Sequence, residues 1–394
     1  MSGTARLGDR LVGIDLARLV AVAGMMAAHT LFQSEQQPPA AVVALIEGPP
    51  STLFAVLGGV SVVLAARARL AAGDRGGAVR STLARGLAVV VLGFLVIPLA
   101  TAVYVVLVPF GVAIMAGAVL VLLPSWLLAL LAVALSATVG SIAATTRVEW
   151  PALPGGHSVA ELIAQPLATV NNVLVSGVYP AITWTAYLTI GMLVARVILA
   201  ATAAGRARAA LLAIGGAGAA LVAAGLVSTE LGLRAIAALE GQPLAVVRET
   251  FLANGYGAGG TDPVWQLLAA PHTGTPADIA RTVGIALLVI AALSLLAASL
   301  PARGLRVLEP LRAAGGAPLT IYIVHVVLLT LLGGRLVEAA PGLVGGWGGW
   351  ALQLAVALGI GALLASGRAR GPFERVVGWA ADLAGGRREP APSA

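Results

Sequence analysis

The sequence predicts an all-α protein, a polytopic bundle of about ten transmembrane helices with both termini in the cytosol. Of its 394 residues, 59% are apolar and only 10% are charged, whereas soluble domains carry roughly 25% charged residues. Apolar runs of about twenty residues recur along the chain, and runs of that length cross a bilayer as helices. A third observation is that most arginines lie between these runs and not within them. We therefore treat residues 1–394 as a single integral-membrane domain.

Ten apolar segments account for these spans. We place them at residues 11–32, 52–70, 82–100, 103–122, 125–145, 179–200, 207–228, 279–300, 313–334 and 346–366. The third and fourth are separated least clearly, because the chain from Gly86 to Leu123 has no charge and only Pro98, Thr101 and Pro109 indicate a turn. A single kinked helix there would make the number of spans odd.

The arginines favour the even number. Positively charged loops stay in the cytosol, and ten spans with a cytosolic N-terminus put 19 arginines inside against 5 outside. The net charge of +7 therefore reflects topology and does not indicate nucleic-acid binding. The first apolar run is long enough to span and lacks a small-residue cleavage site, so we expect a retained helix. The excess of Ala, Gly and Arg is typical of a bacterial genome, which predicts a multi-pass protein of the bacterial plasma membrane.

The longer connections are expected to lie outside the membrane on defined sides. Residues 146–178 and 229–278 are predicted to be the larger extracytoplasmic loops. Residues 371–394 are predicted to form a cytosolic amphipathic tail, because Phe373, Val376 and Trp379 alternate with Glu374 and Arg375.

Ionisable residues inside spans are rare and are functional by default. In the first span, Asp15 and Arg18 are three residues apart and share a helix face, where they either anchor the helix end or mark a cytosolic approach to a site. His29 follows Asp15 by a rise of about 21 Å, which puts it at the outer end of the helix. It is either a catalytic group or an interfacial hydrogen-bonding residue.

The ninth span carries a second histidine. His325 lies about 19 Å beyond Arg312 along a straight helix, slightly past the bilayer midplane, and its alternative role is a hydrogen bond between helices. Tyr322 precedes it by one turn. Its hydroxyl could orient the site or bond a neighbour.

The third histidine precedes the eighth span. Thr275, Pro276 and Asp278 there form a helix cap, with Thr at the N-cap, Pro at N1 and an acid at N3, so Asp278 is expected to be structural. The cap does not need His272, which is therefore either an acceptor-site residue or a solvated loop histidine. Cysteine is absent, which excludes disulfides and thiol catalysis, and no histidine spacing indicates a metal.

Several segments together resemble a known family. They are the D-x-x-R of the first span, STLFAVLGGVSVVL, SGVYPAITWTAYLTIGMLVAR, APHTGTP and PLTIYIVHVVLL. In this order they resemble bacterial relatives of heparan-alpha-glucosaminide N-acetyltransferase, in the transmembrane acyltransferase superfamily. The resemblance implies that an acetyl or other acyl group passes from cytosolic acyl-CoA to an amine or hydroxyl, often of a sugar, on the other side.

The chain departs from the lysosomal member of that family. The catalytic histidine of that member lies in the loop after the first helix, but residues 33–51 here contain none. The role either passes to His29 or the chemistry differs. Glu47 is the acid nearest to the second span in this loop.

The resemblance gives these residues expected roles. His29 or His325 acts as the general base or carries the acyl group, and His272 and Glu47 line an outer acceptor site shared with them. Four inner arginines either attract the phosphates of acetyl-CoA or another acyl-CoA or only set the topology: Arg67, Arg69, Arg80 and Arg85. The expected partners are the lipid bilayer, acyl-CoA and a sugar or glycolipid acceptor, with a homodimer as an option and no metal. A transporter or lipid-translocating protein without covalent chemistry is the alternative, and a partner subunit is a third possibility.

Overall fold

The computed structural model describes residues 7–33, 38–100, 103–153, 156–253, 260–335 and 341–386. Within these ranges all regular elements are helical and no strand occurs, so the predicted all-α class is confirmed. Eighteen α-helices are found there. In chain order they are α1 Leu7–Leu31, α2 Ala40–Ile46, α3 Pro49–Ala71, α4 Arg75–Val96, α5 Leu107–Leu120, α6 Ser125–Glu149, α7 Val159–Ala164, α8 Pro166–Asn171, α9 Ala181–Ala203, α10 Ala207–Glu240, α11 Leu244–Ala253, α12 Pro276–Ser299, α13 Ala302–Val307, α14 Glu309–Gly315, α15 Pro318–Arg335, α16 Pro341–Val344, α17 Gly346–Ser366 and α18 Pro372–Gly385. Short 3₁₀ turns occupy Ile97–Leu99 and Pro263–Leu267, and a π turn occupies Asn172–Ser176.

These helices account for the predicted spans in order. Among the described residues, eight helical segments are long and apolar enough to cross a membrane, and the pair α14 and α15 makes nine when its 79° bend is counted as one span. The remaining element, α5, is apolar but only 14 residues long. The uncertain region between the third and fourth predicted spans is thus two separate helices, α4 and α5.

Small residues allow the central helices to touch. A Cβ atom at Gly59 on α3 would overlap the carbonyl of Leu188 on α9, and one at Gly191 would overlap that of Val56. Close backbone contact of this kind is how helices pack in lipid, where apolar surface gives no preference for a neighbouring helix. The spans of α1 and α3 are the most buried of the candidate spans, whereas α10 and α17 face outward over most of their surface.

The two regions predicted as loops contain helices. Helix α10 has 34 residues, about 51 Å of length, and continues to Glu240, so the region 229–278 begins as helix and adds α11. The region 146–178 contains the end of α6 together with α7 and α8. In the predicted tail, α18 is helical to Gly385, and residues 387–394 lie outside the described residues.

Candidate functional site

Two predicted histidines meet in the interior. His29, in the last turn of α1, and His325, in the middle of α15, have Nδ1 and Nε2 respectively 2.8 Å apart. Their rings are nearly parallel, at 7°, with centroids 5.1 Å apart. His325 is only 1% exposed and His29 is half-buried. The pair therefore lies at the contact of two helices and not against lipid.

A hydrogen bond between two neutral imidazoles has a defined chemical consequence. Each ring has one N–H and one lone pair, and the bond uses one of each. One lone pair and one N–H therefore remain on the two outer nitrogens, His29 Nε2 and His325 Nδ1. Such a pair can take a proton at one outer nitrogen and release one from the other.

The start of α15 positions His325. The 79° bend between α14 and α15 interrupts the span, so the distance of about 19 Å counted from Arg312 along a straight helix is wrong. Glu374 of α18 caps the new helix start: its Oε1 accepts hydrogen bonds from the amides of Leu319 and Thr320, at 2.7 and 3.0 Å. The carboxylate suits this end of the helix because backbone N–H groups point out of it.

Tyr322 is fixed by a neighbour. Its hydroxyl accepts a hydrogen bond from the backbone amide of Val106, at 3.3 Å, and the residue is fully buried. It thereby ties α15 to the segment that enters α5, one turn before His325. Of its two predicted roles, the structure shows the bond to a neighbour.

His272 lies in a second polar cluster. It adopts φ 60°, a left-handed conformation that is uncommon for residues other than glycine and is found at functional sites. Its ring and that of Tyr179 form a T-shaped contact, with an interplanar angle of 82° and centroids 4.9 Å apart. Both line a cavity of about 20 Å³, room for about one water molecule. Burial lowers the pKa of His272 below its ordinary value, and the charge of Arg281 lowers it further, so the imidazole is neutral at neutral pH.

The cap before α12 forms as predicted but also carries a charge pair. Thr275 accepts the hydrogen bond of the Asp278 amide, at 3.1 Å. Asp278 is 1% exposed and its Oδ1 lies 3.4 Å from Nη2 of Arg281. Arg281 also donates to the main-chain carbonyls of Ala44 and Glu47, at 3.0 and 3.3 Å. Asp278 is therefore more than a cap, and Glu47 meets this cluster through its backbone.

The outer site shared by the three histidines and Glu47 stays a prediction. His272 lies within electrostatic range of His29, but the described lining of the cavity at His272 includes neither His29 nor His325, nor Glu47. Its neighbours there include Ser51, Thr183, Tyr187 and Asp278. The structure thus gives a histidine pair and an adjacent polar cluster.

Asp15 and Arg18 form the predicted ion pair, with 2.5 Å between Oδ1 and Nη1. Arg18 also donates to the hydroxyl of Ser61 on α3, at 2.9 Å, and Arg312 on α14 approaches the other Asp15 oxygen at 3.5 Å. A Cβ atom at Gly315 would overlap the Asp15 carbonyl. This network joins α1, α3 and α14 at the bend that precedes α15.

The four predicted CoA arginines have different environments. Arg69 is 5% exposed and donates to the carbonyls of Gly385 and Gly386, at 2.9 and 3.1 Å, while Arg80 donates to that of Ala384 at 3.1 Å. Both therefore hold the C-terminal end of α18. Arg67 is exposed.

Arg69 and Arg85 also border a cavity of about 600 Å³ between α3, α4 and α18. Arg370 adds a third guanidinium, and Glu374 and Asp382 add two carboxylates. The charges of Arg85, Arg370 and Asp382 are close enough to interact. Among the described residues, no cluster of three or more His, Cys, Asp or Glu side chains could hold a metal ion.

Three buried polar residues were missed by sequence reasoning. Arg281 repeats the D-x-x-R spacing of the first span, which was visible at 278–281. Gln353 is the one amide in α17. His157 gave no sequence signal; it is 9% exposed and borders a cavity of about 90 Å³ that shares Tyr179 with the cluster of His272.

Comparison with known proteins gives one family. A model described as heparan-alpha-glucosaminide N-acetyltransferase, catalytic, matches residues 10–228, more than half of the chain. The match includes His29 and Glu47 and ends before His272 and His325. A search of curated proteins finds no match.

Proposed function

The chain belongs to the heparan-alpha-glucosaminide N-acetyltransferase family, and on that premise we propose that it acylates an acceptor across a membrane. It is a multi-pass membrane protein of an acetyltransferase family. In the proposed reaction an acetyl or other acyl group moves from cytosolic acyl-CoA to an amine or hydroxyl on the outer side. The location is the bacterial plasma membrane.

The histidine pair is the observation that carries the proposal. The acceptor nitrogen or oxygen attacks the carbonyl carbon of the thioester, and the C=O electron pair moves onto oxygen. Return of that pair breaks the C–S bond and releases CoA as a thiolate. The pair of His29 and His325 takes the acceptor proton at one outer nitrogen and gives a proton to the thiolate from the other, so no charge accumulates in the buried site.

A covalent route uses the same residues. One imidazole attacks the thioester first and carries the acyl group, and the acceptor then removes it. Both routes consume one thioester and release one CoA.

The donor is proposed to bind beside α18. Guanidinium groups suit phosphates because they bind them in a planar, bidentate manner. Arg85 and Arg370 face the cavity of about 600 Å³ and are the groups proposed to receive the phosphates of CoA. Arg69 borders the same cavity, but its described hydrogen bonds go to Asp74 and to the end of α18.

The acceptor is proposed to bind at the cluster of His272. Tyr179 lines both the cavity of His272 and the neighbouring cavity of about 90 Å³, which Tyr104 also lines, and a sugar ring can lie on this aromatic surface. The neutral imidazole of His272 can both donate and accept hydrogen bonds. The name of the family indicates a glucosaminide amine, and a glucosamine-like sugar or glycolipid is therefore the proposed acceptor class.

The test is consumption of thioester by the purified protein in detergent. We expect the wild type to release CoA from acetyl-CoA when glucosamine is present, and His29→Ala and His325→Ala to lose this activity. Ser294→Ala is a matched control, because Ser294 is another polar residue buried in a span, at 2% exposure. Activity that persists in both histidine variants would contradict the proposal.

One feature favours the transporter alternative. The break between α14 and α15 resembles the interrupted helices that form substrate sites in transporters. A transporter leaves acetyl-CoA intact, so the same assay separates the two functions.

A further inference from the structure

Helix α17 carries one side-chain amide in the middle of an otherwise apolar span. Gln353 is the only amide between Gly346 and Ser366 and is 2% exposed. An amide that is buried without hydrogen-bond partners is strongly unfavourable. Its presence in an apolar span therefore indicates a specific interaction.

The same face of α17 is fixed against α1. Trp350, three residues before Gln353, donates its indole N–H to the carbonyl of Ala23, at 3.0 Å. Residues three apart share a helix face. Gln353 is therefore held on the side of α17 that faces the helix of His29.

Gln353 lies beside the histidine pair. Its side-chain amide lies within hydrogen-bonding reach of the ring of His325. Gln353 Nε2 is buried and, within the part of the chain that the structure describes, has no hydrogen-bond partner. Buried polar atoms are almost always paired in folded proteins. An unpaired amide nitrogen on the residue that contacts the histidine pair indicates a site that a bound molecule completes.

We infer that Gln353 is a catalytic residue that donates a hydrogen bond from Nε2 to the carbonyl oxygen of the acyl group. This inference rests on the proposed acyl transfer. When the acceptor attacks, the C=O electron pair moves onto that oxygen, and the negative charge forms beside the amide N–H. When the pair returns, the C–S bond breaks and CoA leaves as a thiolate, protonated by the histidine pair.

The amide suits this role better than a charged group. A side-chain amide N–H strengthens its hydrogen bond as the oxygen becomes negative, and it does so without a proton transfer of its own. The histidine pair beside it takes the acceptor proton, so the base and the oxyanion donor lie next to the same reacting carbon.

The test is Gln353→Met, which keeps the length of the side chain and removes its hydrogen bonds. With acetyl-CoA and glucosamine as probes, we expect kcat to fall about 10²- to 10³-fold, the usual effect of removing an oxyanion donor. The KM for acetyl-CoA and the pH dependence of kcat should stay close to wild type. Ser294→Ala should keep its activity, because Ser294 Oγ is also buried and lacks a partner among the described residues, but lies on α12.

The pH profile separates this role from a structural one. If Gln353 only oriented His325, its loss would shift the pH midpoint of kcat, and that result would overturn the inference. Unchanged kcat in an active enzyme would overturn it as well, without affecting the proposed function. A wild type that leaves acetyl-CoA intact would overturn both. If Gln353→Met does not fold, Gln353→Asn takes its place in the test. This variant keeps the amide but withdraws it by one methylene, and we expect its kcat to fall as well.

Discussion

At the scale of the residue, the contact between His29 and His325 makes two side chains act as one acid–base unit. Their hydrogen bond leaves one outer nitrogen on each ring, so taking the acceptor proton at one outer nitrogen and protonating the thiolate from the other uses both rings. Their functions are therefore expected to depend on each other.

A double-mutant cycle tests this dependence. We expect His29→Ala and His325→Ala each to lower kcat by about 10²- to 10⁴-fold, the usual contribution of a general base. The double variant should lose little more than either single variant, because groups that act as a unit are not additive. The measurement is CoA release from acetyl-CoA, and losses that multiply would show two independent roles.

Two arginines on neighbouring helices should separate binding from stability. Arg85→Ala should raise the KM for acetyl-CoA and leave the melting temperature close to wild type, because Arg85 faces the cavity. Arg69→Ala should lower the melting temperature instead, because it leaves the carbonyls of Gly385 and Gly386 without their donor, at a cost of about 1–3 kcal/mol. Tryptophan fluorescence in detergent and initial rates measure the two effects. Equal effects of the two variants would contradict these roles.

At the scale of the element, α18 connects the donor cavity to the helix of His325. Glu374 in its first turn caps α15, and Arg69 holds its last turn. Its outer face carries an exposed apolar stripe, formed by Val376, Trp379 and Leu383, which suits the surface of the inner leaflet. The helix is thus a structural part of the bundle and more than the amphipathic tail that the sequence predicts.

Removing the cap tests this connection. Glu374→Ala should destabilise the start of α15 by about 1 kcal/mol and lower kcat as His325 loses its position. Thermal unfolding and CoA release are the measurements, and Glu249→Ala on α11 is the control, since that residue is exposed. A variant with wild-type kcat would show that the cap does not position His325.

The spanning helices could be predicted because each one needs about twenty mostly apolar residues to cross the bilayer. Such runs can be recognised in the sequence. Gly315, Gly316 and Pro318 indicate the break before α15. The predicted span nevertheless included them, because apolar residues continue on both sides. The extension of α10 to Glu240 was missed because the predicted span was ended where the apolar run ends. The residues that follow are less apolar but still form helix.

At the scale of the whole molecule, the position of His29 along its own helix could be predicted, but which helices lie next to each other could not. Counting residues along α1 put His29 at one end of its span, yet its partner lies 296 positions away. Which helices meet depends on close packing at small residues such as Gly59 and Gly191. The sequence pattern around a glycine does not show which other helix it contacts. For the same reason Gln353 was visible as a polar residue but not as a neighbour of His325.

Sidedness is the remaining global prediction. The arginine asymmetry of 19 against 5 predicts that both termini and the donor cavity face the cytosol, and that His272 faces the outside. Transfer across the membrane requires this arrangement, because donor and acceptor then reach the histidine pair from opposite sides.

Vesicles of known orientation test the account most directly. The purified protein is reconstituted into vesicles that enclose glucosamine, and vesicles with the cytosolic face outward are selected. Acetyl-CoA with a labelled acetyl group is then added outside. We predict label on the internal glucosamine and free CoA outside, with neither in His325→Ala vesicles. Intact acetyl-CoA inside the vesicles, or label that stays on CoA, would contradict the account.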